Sequence, residues 1–142
     1  MLEIPQGSKA ELLVQVGPEM AVDFDELSAP HPVYASYWLS RHAEQVSLRL
    51  LLPYLEPGES SMGVGIQIEH RASALVGMWV RLQATLEQVL RNRVYASVSA
   101  TSDLGDRIAD AHTVQAVLPQ ASVDRRLAEL RERYAAQPWV RR

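Results

Sequence analysis

The chain has 142 residues, of which 47% are hydrophobic and 22% charged, a composition that fits one globular domain over residues 1–142 and excludes a disordered chain. Its net charge of −3 gives no electrostatic case for nucleic acid as the main partner. The sequence contains no cysteine, which excludes disulfides, thiolate metal sites and cysteine nucleophiles and fits a reducing cytoplasm.

The N-terminal sequence MLEIPQGSKAELLVQV has neither the basic start nor the continuous apolar run of a secretory signal. No apolar run in the chain approaches the ~20 residues needed to span a bilayer. We therefore expect a cytoplasmic protein with no membrane partner.

The first quarter of the chain predicts a strand, a weaker second strand and a loop. Residues 8–17 have a strand pattern that ends at Gly17-Pro18, and residues 20–24 are a candidate for a short second strand. Residues 25–35 contain two prolines and are typical of a loop, which either covers a pocket or only connects two elements.

Residues 37–52 are predicted to form a long helix with one buried stripe. Its apolar positions follow the i, i+4, i+7, i+11 spacing of a helix face: Leu39, Ala43, Val46 and Leu50. Pro53 ends the helix, and the Pro-Gly pair in residues 56–59 predicts a tight turn.

Residues 62–70 alternate with a period of two, which predicts a strand with one buried face. The apolar face holds Met62, Val64, Ile66 and Ile68, with His70 at its end, and the other face holds Gly63, Gly65, Gln67 and Glu69. On this pattern Gly63 and His70 lie on opposite faces of the strand.

The rest of the chain predicts three more strands and a C-terminal helix, in residues 76–90, 94–100, 107–118 and 122–135. Strands joined by such short turns must be antiparallel. A long apolar helix ahead of an antiparallel sheet predicts an α+β fold in which the sheet packs on the helix. The free edges of such a sheet favour pairing of two subunits.

Three polar side chains lie at the margins of the predicted helix and strand. Glu44, beside the helix stripe, is either a surface glutamate or a half-buried base or nucleophile. His70 is either a histidine bonded to the backbone or a proton-transfer group, and Ser36 is either a helix N-cap or a site hydroxyl. Gly63 is interpreted either as a bulge or as a backbone N–H that polarises a carbonyl.

Other chemistry has weaker support in the sequence. Asp110 and His112 share a strand face, but without a third ligand they do not predict a metal site. No nucleophile elbow, phosphate-binding loop or dinucleotide motif occurs. The arginines near the C-terminus are interpreted as a solvated helix face and tail, with attraction of coenzyme A phosphates as the alternative: Arg125, Arg126, Arg131, Arg133, Arg141 and Arg142.

The run PYLEPGESSMGVGIQIEH from Pro53 to His70, with VYAS ahead of the helix, resembles the fluoroacetyl-CoA thioesterase family. The PYLEPGE segment is the most specific part, and the similarity continues more weakly from Val33 to about Val117. The resemblance implies a hot-dog fold, in which a curved antiparallel sheet wraps one long helix and two subunits form a continuous sheet. It also implies an acyl-CoA substrate, a homodimer and no cofactor.

By ungapped matching, the resemblance implies a catalytic set of Ser36, Glu44 and His70, with the Gly63 N–H as oxyanion donor. Ser36 stands where the family has threonine. Glu44 would attack the thioester or activate water, and His70 would transfer protons. The candidates for an acyl pocket are Tyr34, Tyr37 and Trp38. The alternative hypothesis is a non-catalytic hot-dog module that binds an acyl thioester or another apolar small molecule.

Overall fold

The structure of the protein, a computed structural model, describes residues 1–138, so Arg141 and Arg142 lie outside the described residues. Its strands are β1 (Lys9–Gln15), β2 (Ala21–Val22), β3 (His31–Tyr34), β4 (Glu59–His70), β5 (Trp79–Leu90), β6 (Arg93–Ser102) and β7 (Arg107–Pro119). Its α-helices are α1 (Ser36–Leu51) and α2 (Gln120–Ala135).

Five strands form one sheet in the order β1-β5-β6-β7-β4, and every neighbouring pair is antiparallel. The antiparallel prediction is therefore confirmed. The strands β1 and β4 lie at the two edges, so one side of β4 has no strand partner among residues 1–138. The edge position of β4 matters because this strand ends in His70.

Helix α1 packs on one face of the sheet and contacts all five strands. The predicted stripe is confirmed, since Leu39, Ala43, Val46 and Leu50 are each at most 3% exposed. Alternate residues of β5 and β6 are buried in the core shared with the helix: Val80, Leu82, Ala84, Leu86, Val94, Ala96, Val98 and Ala100. This packing buries the apolar surface that makes the fold stable. One helix covered by one antiparallel sheet is the α+β arrangement that the sequence pattern predicts, and it matches the hot-dog fold that the family resemblance implies.

The prediction of a continuous loop over residues 25–35 is wrong at His31–Tyr34. These residues form β3, which pairs with β2 and also contacts residues 74–76 through a bridge between Val33 and Leu75. Pro32 fits here because its carbonyl oxygen still accepts a hydrogen bond from the Val76 N–H. A short edge strand tolerates proline, since the missing N–H breaks no central ladder.

The predicted alternation of β4 is wrong because the strand contains a bulge. Gly63 pairs with Gln115 and Gly65 pairs with Val114, so Val64 is an extra residue on the β4 side. One inserted residue reverses the face of everything beyond it. As a result, Gly63 and His70 point to the same, helix-facing side of the sheet.

Helix α2 follows β7 directly and lies largely outside the core. Its predicted apolar face includes Leu127 and Leu130, which are 41% and 50% exposed. No helix in the described part of the chain combines the length and apolar character needed to cross a membrane.

Candidate active site

Ser36 and His70 are in direct contact. Ser36 is the first residue of α1, and the N-cap position belongs to Ala35 without a side-chain cap, so the N-cap interpretation of Ser36 is wrong. Its Oγ atom lies 2.9 Å from Nδ1 of His70, the last residue of β4. The contact exists because β4 runs under the N-terminal end of α1 and the bulge turns His70 towards the helix. Ser36 therefore holds one nitrogen of the imidazole and leaves the Nε2 atom for other partners.

The Ser36–His70 pair borders a cavity of about 310 Å³. The other lining residues are small, apolar or basic: Val22, Val33, Tyr34, Arg71, Ala72 and Ser73. Both Ser36 and His70 are exposed in the single chain. The pair can therefore be reached by a ligand that enters this cavity.

Glu44 and Gly63 form a second close pair. A methyl group built on Gly63 would lie 3.4 Å from the Cδ and both carboxylate oxygens of Glu44. The absence of a side chain at position 63 thus leaves open the space in front of the carboxylate. This space belongs to a cavity of about 300 Å³ that is also lined by Arg41, Gln45, Leu48, Ser61 and Gln115.

The two pairs lie in different cavities of one chain. Ser36 and Glu44 are about 12 Å apart along α1, since each residue advances a helix by roughly 1.5 Å. Gly63 and His70 are roughly 20 Å apart along β4, at about 3.3 Å per residue. The structure therefore brings Ser36 to His70 and Glu44 to Gly63, and it does not bring all four residues together within one chain.

The three aromatic residues predicted for an acyl pocket have different environments. Tyr34 is fully buried and lines the Ser36–His70 cavity. Tyr37 is 42% exposed, and its hydroxyl accepts a hydrogen bond from the Asp23 N–H. Trp38 is half-buried against the core and carries the Arg41 guanidinium over its ring. Of the three, Tyr34 is the one that lines the cavity beside Ser36 and His70.

His42 is a buried polar residue that the sequence interpretation missed. Its Nδ1 atom lies 2.5 Å from the Tyr34 hydroxyl. Burial lowers the pKa of His42, with a smaller contribution from Arg41, and burial also raises the pKa of Tyr34 above its usual value. The spacing of Leu39, His42 and Val46 is i, i+3, i+7, and this signal places His42 on the buried stripe.

The side chains of Asp110 and His112, which the sequence suggests only weakly as metal ligands, bind other protein side chains. Arg71 and Arg107 both bind the Asp110 carboxylate, at 2.5 and 2.6 Å, and the Arg71 hydrogen bond is the main cause that lowers the pKa of Asp110. His112 Nδ1 lies 2.7 Å from a Glu87 oxygen. Within residues 1–138, no three His, Asp or Glu side chains cluster as a metal site would require.

Comparison with known proteins gives consistent matches along most of the chain. Residues 16–121 match the model of the FlK family, described as fluoroacetyl-CoA-specific thioesterase. A fluoroacetyl-CoA thioesterase from Streptantibioticus cattleyicolor is 33% identical over 97 residues, which is 68% of this chain. The match spans 65% of the length of that relative.

Solved structures with the same fold cover more of the chain. A Thermus thermophilus hypothetical protein, a thioesterase superfamily member, is 44% identical, with a TM-score of 0.94 over 96% of this chain and 100% of that one. The fluoroacetyl-CoA thioesterase FlK is 26% identical, with a TM-score of 0.81 over 89% of this chain and 97% of that one. A hot-dog-like protein from Thermanaerovibrio acidaminovorans is 22% identical, with a TM-score of 0.82 over 89% of this chain and 92% of that one. At this identity the match supports the fold alone. The hot-dog fold predicted from the sequence is thus confirmed.

Proposed function

The chain belongs to the FlK family of fluoroacetyl-CoA-specific thioesterases, and from this premise we propose that it hydrolyses an acyl-CoA to a free acid and a thiol. The observation that carries the proposal is the pairing of Ser36 with His70 and of Glu44 with Gly63. Point mutants of a relative, FlK, have been crystallised with acetyl-CoA and with fluoroacetate and CoA. The substrate proposed for this chain is of the same chemical class.

In the proposed mechanism, three groups respectively stabilise the carbonyl oxygen, attack the carbonyl carbon or activate water, and protonate the departing thiolate. The Gly63 N–H stabilises the negative charge on the thioester carbonyl oxygen. Glu44 either attacks the carbonyl carbon to form a mixed anhydride, which water then hydrolyses to the free acid, or takes a proton from the water molecule that attacks. His70 delivers a proton to the departing thiolate through Nε2, because Ser36 holds the Nδ1 side of the ring.

We further propose that two subunits complete each site. Three apolar side chains of the edge strand β4 are exposed in the single chain, Met62, Val64 and Ile66. Edge strands of this kind pair readily with a second chain. If two β4 strands pair antiparallel around a two-fold axis between Ile66 and Gln67, His70 lies opposite Gly63 of the partner subunit. Since Glu44 accompanies Gly63 in each chain, this pairing would join the two half-sites.

A thiol-release assay tests the enzyme proposal. Purified protein is incubated with a panel of acyl-CoAs of different chain length while free thiol is measured over time. We expect release from at least one substrate, and loss of most of it in Glu44→Ala and in His70→Ala. Saturable acyl-CoA binding without any thiol release would instead support a non-catalytic binding module. Full activity in both variants would refute the site assignment.

Mixing the two inactive variants tests the shared site. Glu44→Ala and His70→Ala subunits, coexpressed or refolded together in equal amounts, form mixed dimers in which one site carries both substitutions and the other carries neither. Half of the dimers are mixed, so about a quarter of the wild-type activity should return if each site uses both subunits. No recovery, with mixed dimers demonstrated by mass spectrometry, would show that each site belongs to one chain.

A further inference from the structure

Gln115 is a buried polar side chain beside the Glu44–Gly63 pair. It is the residue of β7 directly across from Gly63, and it faces α1. It is only 4% exposed and lines the same cavity as Glu44. Directly opposed residues of antiparallel strands have Cα atoms about 5 Å apart. Because Gly63 has no side chain, the Gln115 amide lies next to the space in front of the Glu44 carboxylate.

One end of the Gln115 amide is fixed and the other is available. Its Oε1 atom accepts a hydrogen bond of 2.9 Å from the Ser61 hydroxyl. This bond orients the amide and leaves the NH₂ group, which donates to no other described residue. Among residues 1–138, the one enclosed side-chain polar atom without a hydrogen-bond partner is Ser102 Oγ. The Gln115 nitrogen is therefore open to the cavity that it lines.

An oriented amide with an accessible N–H donor at a cavity can exchange its hydrogen bond to water for one to a ligand. We infer that Gln115 binds the substrate, and that its NH₂ group donates a hydrogen bond to the thioester carbonyl oxygen beside the Gly63 N–H. This role deepens the proposed thioesterase function and depends on it. Ser61 acts as a positioning residue, because its hydroxyl fixes which end of the Gln115 amide faces the substrate.

Two substitutions separate the donor role of Gln115 from a structural one. Gln115→Met keeps the length of the side chain and removes both polar atoms. Gln115→Glu keeps an oxygen that accepts from Ser61 and replaces the donor NH₂ by a second acceptor. For both we expect kcat/KM with an acyl-CoA to fall by roughly 10- to 100-fold, at or below the roughly 100-fold lower limit for removal of an oxyanion donor, because the Gly63 N–H remains. The inhibition constant of free CoA, which has no acyl carbonyl, should change less than about twofold.

Thr113→Val is the matched control. Thr113 is equally buried on the same face of β7, and its hydroxyl donates to Ser47 at 2.6 Å, away from the cavity. This variant should lose thermal stability and keep its kcat/KM. Circular dichroism and thermal unfolding establish that each variant is folded.

The outcomes distinguish this inference from the proposed function. If the wild-type protein releases no thiol, the thioesterase proposal fails and the Gln115 role fails with it. If the wild-type protein is active and either Gln115 variant keeps its kcat/KM within twofold, the Gln115 role alone is overturned. An equal loss in Thr113→Val, or a parallel loss of CoA inhibition, also overturns it, because both indicate a general disturbance of the cavity.

Discussion

Gly63→Ala is the sharpest single test of the proposed site. The added methyl group would lie 3.4 Å from the Glu44 carboxylate, which is an ordinary van der Waals contact, so the folded chain can accept it. Gly63 also has no positive φ angle that an alanine would strain. Replacing glycine by alanine at a compatible position changes stability by less than about 1 kcal/mol. We therefore expect a folded variant with nearly unchanged thermal stability.

The same methyl group should abolish most of the activity. A reacting carbonyl must approach within about 3–3.5 Å of its attacking group, and the methyl occupies that space in front of Glu44. Loss of one oxyanion contact alone lowers kcat by roughly 100- to 1,000-fold, or about 3–4 kcal/mol. We expect at least a 100-fold fall in kcat/KM in the thiol-release assay.

Gly65→Ala is the control for this experiment. Gly65 lies two residues further along β4, on the other face of the sheet, where a methyl would contact the Val114 side chain at 3.5 and 3.7 Å. This variant should keep its activity within about twofold. A Gly63→Ala enzyme that is still within threefold of wild type would refute the placement of the carbonyl between Gly63 and Glu44. Equal losses in both variants would attribute the effect to the strand and not to the site.

Four further predictions follow from other contacts. Ser36→Ala removes the hydroxyl at His70 and should lower kcat roughly tenfold in the thiol-release assay, whereas Ser36→Thr should keep most of it. Tyr34→Phe leaves His42 Nδ1 buried without its partner and should cost about 1–2 kcal/mol in chemical denaturation. Because folding lowers the pKa of His42, the unfolded chain binds a proton at a higher pH than the folded chain does. The free energy of unfolding should therefore fall as pH drops below about 6.5. Denaturation at several pH values should show a weaker dependence in His42→Leu. Ile66→Lys places a charge on the exposed edge of β4. The variant should sediment more as a monomer than the wild-type protein does, and its activity should fall. An active monomer would contradict the two-subunit site.

Much of the fold could be predicted from hydrophobic periodicity. The apolar stripe from Leu39 to Leu50 predicts a helix, and the alternation in β5 and β6 predicts strands. Each prediction is unambiguous because burial of a single face requires that spacing. Pro53 ends α1, and the tight turns make the strands antiparallel. The loop prediction failed at His31–Tyr34, because proline usually interrupts a strand. Pro32 is tolerated in this short edge strand, where its carbonyl oxygen accepts a hydrogen bond from the Val76 N–H.

Only part of the candidate site could be identified from the sequence. Ser36, Glu44, His70 and Gly63 could be singled out by residue type, position and family resemblance, since the chemistry of a side chain is carried by its identity. Gln115 could not, because a glutamine in a strand has no special pattern until its neighbours are known. The same holds for the bond between Tyr34 and His42.

The tertiary structure decided which of these residues meet. By sequence, Gly63 and His70 belong to opposite faces of one strand. The bulge at Val64 places both on the helix side, and such a bulge depends on how β4 pairs with β7. The sequence by itself thus determined the elements and the chemical groups, because periodicity and side-chain identity are local properties. The pairing of Ser36 with His70 and of Glu44 with Gly63 was decided by the register between distant segments, which only the folded chain defines.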